Sequence, residues 1–184
     1  MQILFDMDSA ISSVLYILGK TGGSADIHHV YKTLYFADQE HLSKYGRSIT
    51  GDTYIAMKFG PVPSNLYDIA KALRGDSFFS GSRRLDEFKG LLRLKNRYII
   101  EALSKYNEDD LSESDIECLD SAIGKCAGKN FTAVTRMSHG LAYSNTKADH
   151  EISVADILRE AGNSEEYANF ISDNLRYEKE LCGR

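Results

Sequence analysis

Both prolines of this 184-residue chain stand within five consecutive residues, Phe59-Gly60-Pro61-Val62-Pro63. Proline lacks a backbone N–H and fixes φ, so inside a helix it costs about 3 kcal/mol. Confining it to one place leaves the other segments free to be helical and marks residues 59–63 as a corner. Just before the corner the chain alternates, with Ile55, Met57 and Phe59 on one face and Tyr54, Ala56 and Lys58 on the other, the period of a strand. Pro61 is expected to end that strand, and Pro63 to hold Val62 extended ahead of a helix capped by Ser64. Leu66, Ile69, Ala70 and Leu73 then keep helical spacing up to Gly75.

Away from the corner the periodicity is mostly helical. Ile11, Val14, Leu15 and Leu18 lie on one helical face, with Asp6 or Asp8 as cap and Gly22-Gly23 as stop. Asp26 and Gly46 bracket a second helix carrying Ile27, Val30, Tyr31, Leu34 and Leu42. Leu92 and Leu94 are expected to pair with Tyr98 and Ile100 across a Lys95-Asn96 turn. Ser112 with Asp115 and Ser114 with Glu117 form two overlapping capping-box spacings ahead of Ile116, Leu119 and Ile123. Further helices are expected at 131–139, 153–162 and 164–181, the last burying Tyr167, Phe170, Ile171 and Leu175. The expected fold is mainly α (α+β): a compact helical domain over 1–184, with small β elements near 53–59 and 88–102 and a helical C-terminal part over 112–184.

A chain of this length buries roughly 70% of its unfolded surface, enough for a core without covalent staples. Its 42% hydrophobic and 27% charged content is that of an ordinary globular protein. Three cysteines without a C-x-x-C pair leave an odd thiol, which fits a reducing cytoplasm. The first residues show neither a basic leader nor a span, so no membrane is expected. The net charge of −5 is uneven: bases predominate from Lys58 to Arg97, whereas Lys105 is the only base from Glu101 to Asp120.

Catalytic and metal patterns do not assemble. Gly19-Lys20-Thr21 imitates the end of a phosphate-binding loop, but the residues before it read as helix where that loop needs a strand. His28 and His29 point about 100° apart on a helix, and no Cys/His pair accompanies them, so no metal and no cofactor is expected. Ser138 and His139 are adjacent and do not face each other as a nucleophile and its base must. Asp38 falls on the core stripe, where a carboxylate needs partners; Arg47, Tyr54 and Lys58 follow closely enough to supply them. A buried network that fixes the helix-to-strand connection is the favoured role of Asp38, with general acid–base chemistry as the competitor. The basic hairpin Arg93, Lys95, Arg97 has the charge of a DNA-binding wing, against an acidic whole.

One stretch carries more than composition does. Lys32, Leu34, Tyr35, Phe36, Ala37 and Asp38, then Tyr45, Gly46, Arg47, Ile49, Thr50, Gly51, Asp52 and Tyr54, then Gly60, Pro61 and Val62 together resemble the Panacea domain, the SocA-like antitoxin domain often labelled phage-associated protein. Ser48 stands where that family often has proline. Ser138-His139 with Ala142-Tyr143 looks like the family's Ser/Thr-His…Ala-Trp segment, with Tyr143 in place of tryptophan. The resemblance centres on a core motif over 26–75 and implies a helical antitoxin without catalytic residues, which neutralises a toxin encoded nearby by direct contact. It also implies delivery of the toxin to a protease as a further role. Asp38, Arg47, Asp52 and Tyr54 are expected to form the structural network, and Lys58, Pro61, Arg93 and Arg97 to contact a partner. Self-association as a homodimer stays open. The alternative is a DNA-binding transcriptional regulator that uses residues 83–97.

Overall fold

The computed structural model describes residues 5–76 and 88–182. Helix α1 (Met7–Lys20) begins where the Asp6 carboxylate accepts the N–H groups of Asp8 and Ser9. Asp26 caps α2 (Ile27–Tyr45), and Gly46 closes it in the left-handed region, as the sequence indicates. α2 is the axis of the molecule. Every residue from Val30 to Gln39 is buried, because α1 and later elements pack around the whole circumference of the helix. That is why α2 carries buried Lys32, Asp38, Gln39 and His41, each of which must find a partner inside the fold.

The small β elements are antiparallel. β2 (Tyr54–Met57) pairs with β3 (Gly60–Pro63) in the register Ile55↔Val62 and Ala56↔Pro61. The proline corner is therefore itself a strand, not the end of one, and Lys58-Phe59 forms the turn. Proline fits because Ala56 directs its N–H to His150 and its C=O to Asp149, so Pro61 opposite needs no ladder donor. The other sheet has the order β1-β5-β4, with β1 (Ser24–Asp26), β4 (Leu92–Leu94) and β5 (Ile99–Ala102). Its hairpin register is Leu92↔Ala102 and Leu94↔Ile100, which leaves Tyr98 in the turn instead of the ladder. The Asn96 side chain accepts the N–H groups of Tyr98 and Ile99 and so lengthens the turn beyond the two residues expected.

Helix α3 (Ser64–Leu73) follows β3, and a 3-10 turn (Glu108–Asp110) precedes α4 (Glu113–Cys126), which opens on the Ser112/Asp115 capping box. The chain ends in α5 (Phe131–Ser138), α6 (Leu141–Ser144), α7 (Val154–Glu160) and α8 (Glu165–Cys182). Buried apolar residues from Ala10 to Leu175 form one continuous cluster. The fold is mainly α with a small β part. On α8 the buried face is Ala168, Ile171 and Leu175, while Phe170, expected inside, is 62% exposed. A residue next to Ile171 is turned about 100° away from it on a helix, and the core reaches α8 from one side only.

Candidate functional site

Two buried charges of α2 organise the motif. Asp38, 1% exposed, accepts hydrogen bonds from the Ile49 N–H (2.7 Å), the Thr50 N–H (3.2 Å), the Thr50 hydroxyl (2.7 Å) and the Tyr54 hydroxyl (2.7 Å). Burial raises its carboxyl above the ordinary value, against the opposing pull of these donors. Tyr54 is the one expected partner that arrives. Lys58 is exposed beside the Phe59 ring, and Arg47 turns to Asp115 (2.8 Å). The loop backbone at Ile49 and Thr50 does what those cations were expected to do. Asp38 has no solvent path along which it could act on a substrate.

Arg47 belongs to a second cluster, between the end of α2 and the start of α4. His41 Nδ1 bonds the Arg47 carbonyl at 2.8 Å, and its Nε2 lies 3.0 Å from Asp115. Burial opposes ionisation of Asp115, but His41, Ser112 and Arg47 outweigh it and hold the carboxyl down at about 2. Asp52 works elsewhere. Helix α3 is capped by Pro63, which has no side-chain acceptor, so Asp52 accepts the N–H groups of Asn65 (2.9 Å) and Leu66 (3.1 Å) from across the loop. The expected cap, Ser64, is instead the first helical residue.

Lys32 was singled out only through resemblance, yet it occupies the tightest site. Its side chain is fully buried and its Nζ donates to the Pro61 carbonyl at 2.5 Å. Burial draws its pKa down to about 7. Gly60 (φ 97°) is fitted against it: a Cβ there would stand 2.6 Å from Ser138 Oγ, 2.9 Å from Lys32 Nζ and 3.1 Å from His139 Cδ2. Burial, reinforced by the nearby Lys32, also lowers His139. A lysine of α2, a glycine of β3 and the Ser138-His139 pair of α5 therefore meet at one point, although more than a hundred residues separate the first from the last.

An open cleft of about 610 Å³ borders the same hairpin, lined there by Met57, Lys58, Phe59 and Val62. Phe59 and Phe131 meet edge to face (5.4 Å), His28 stacks on Phe131 (4.2 Å), and Tyr98, Lys58 and Arg97 complete the rim. Lys58 and Arg97, both expected to meet a partner, thus share one surface. Pro61, also expected to meet a partner, is buried. Arg93 and Lys95 (2.8 Å) share the single carboxylate of Glu101, which offsets one of the positive charges of the expected DNA wing. Arg83 and Arg84 lie outside the described residues. Phe59 and Phe131 could not be found from sequence, because exposure of an aromatic side chain has no local signature.

Residues 30–142 match the family described as antitoxin SocA-like, Panacea domain. The chain belongs to that family. No curated protein and no solved structure matches it. The Panacea span contains Lys32, Asp38, Asp52, Gly60 and Ser138-His139, so the residues that meet at the hairpin are those of the family segment. Beyond the Panacea span, α7 is joined to it by Glu160, which accepts from the Tyr35 hydroxyl (3.2 Å), Gln39 Nε2 (2.9 Å) and the Ala142 N–H (2.8 Å). Among the described residues no helix is long and apolar enough to cross a membrane, and no group of His, Cys, Asp and Glu could hold a metal ion.

Proposed function

We propose that the protein is a non-enzymatic antitoxin of the cytoplasm, which neutralises a toxin encoded beside it by direct protein contact. Membership of the Panacea family over residues 30–142 carries this reading. It is supported by the use of the motif's polar groups: Asp38, Asp52 and Lys32 are engaged by other groups of the same chain, which suits a scaffold. Exposed aromatic and basic side chains then remain for a partner. Delivery of the bound toxin to a protease is a further step of the same reading, visible as a shorter toxin half-life in cells that make both proteins. The regulator reading has less support, since Glu101 engages both Arg93 and Lys95 and offsets part of their charge. Co-expression with each neighbouring reading frame tests the proposal. At least one neighbour should arrest growth alone and lose that effect in the presence of this protein; if none does, the reading is wrong.

A further inference from the structure

Helix α8 has two apolar faces and the fold covers one. Ala168, Ile171 and Leu175 pack inward, while Phe170, Tyr177 and Leu181 are 62%, 64% and 69% exposed. With Asn174, these last three follow a four-three-four spacing, the seam of a coiled coil interrupted by one polar residue, and lie about 120° around the helix from the buried face. Glu166, Asp173 and Glu180 recur at intervals of seven along one border of this seam. Glu178, on the opposite border, is only half-exposed and turns one carboxylate oxygen inward. We propose that the outer face of α8 docks an amphipathic helix of the toxin, one whose apolar stripe is bordered by lysine or arginine.

The charge pattern selects that occupant over the others. A second copy of α8, parallel or antiparallel, would set carboxylates against carboxylates along the seam. An anionic membrane surface is repelled by the same acids. A helix with a basic border satisfies both the seam and the acids, and Asn174 gives it a register through one buried polar contact. α8 lies beyond the family match, which ends at residue 142. The inference rests on the antitoxin reading only for the protein that carries the helix.

Two synthetic helical peptides of about 20 residues serve as probes, one with a leucine stripe bordered by lysines, the other with the same stripe bordered by glutamates. Titrated into the full-length protein, the lysine peptide should bind roughly tenfold or more tightly than its twin. Binding should vanish in F170S/Y177S/L181S, and the preference should reverse in E166K/D173K/E180K. These positions are exposed, so the serine variant should melt with wild type, and the lysine variant, which loses the exposed Asp173–Arg176 pair (3.0 Å), within a few degrees of it. Equal affinity for the two peptides, no binding of either, binding that survives the serine variant, or sedimentation showing a dimer that the serine variant dissolves would each overturn the proposal. The co-expression assay separates the two readings. A serine variant that still neutralises the toxin removes this surface and leaves the antitoxin standing, whereas a wild type that neutralises nothing removes the antitoxin while the peptides still decide the surface.

Discussion

Replacing Lys32 with methionine keeps the volume of the side chain and removes a buried ammonium group. In the folded chain that group titrates at about 7 instead of its ordinary 10.5, because burial penalises the charged form. Between those values the unfolded chain binds a proton that the folded chain has released, so stability must rise with pH through this window. Each pH unit well inside it contributes about 1.4 kcal/mol. From pH 7.5 to 9, with the group already partly neutral at the lower end, the gain comes to about 2 kcal/mol. Below pH 7 the folded chain must carry the buried charge, and this contribution is lost. Urea unfolding of wild type and K32M, followed by circular dichroism at half-unit steps from pH 7.5 to 9, isolates the effect. The buried tyrosines and Cys118 titrate equally in both proteins and cancel in the difference. Wild type should gain about 2 kcal/mol relative to the variant across that range. Parallel profiles would show that Lys32 keeps its proton in the folded chain across this range and refute the reasoning.

Two further substitutions probe the same region. Gly60→Ala combines a left-handed backbone with a Cβ 2.6 Å from Ser138 Oγ, and should cost about 2–4 kcal/mol in chemical denaturation; S138G alongside it should recover only part, since Lys32 and the positive φ remain. Asp52→Ala removes the acceptor at the start of α3 and should cost about 1–2 kcal/mol, with hydrogen exchange accelerating first at Asn65 and Leu66.

The elements were legible where their signals are local. Asp26 and Gly46 bound α2 and Ser112 with Asp115 opens α4, whereas α1 buries every residue from Ala10 to Leu18 and not only its expected apolar face. The turn of the 92–102 hairpin was misread because Asn96 extends it with its own side chain. The proline corner was misread for a different reason. A strand containing two prolines is viable only if its partner directs its own donors and acceptors elsewhere, and the segment that receives them, residues 149–152, lies almost ninety positions downstream.

The order of residues by itself determined that this is a mainly helical chain with the Panacea motif, because helix caps, apolar period and motif spacing all act over short distances. It also placed Asp38 inside and required that it be bonded. Which groups would bond it, which face of α8 would stay bare, and that Lys32, Gly60 and His139 would meet were decided by the tertiary structure. Those outcomes depend on which surfaces α2 receives around its full circumference, and the packing of distant elements leaves no trace in the local pattern of a single sequence.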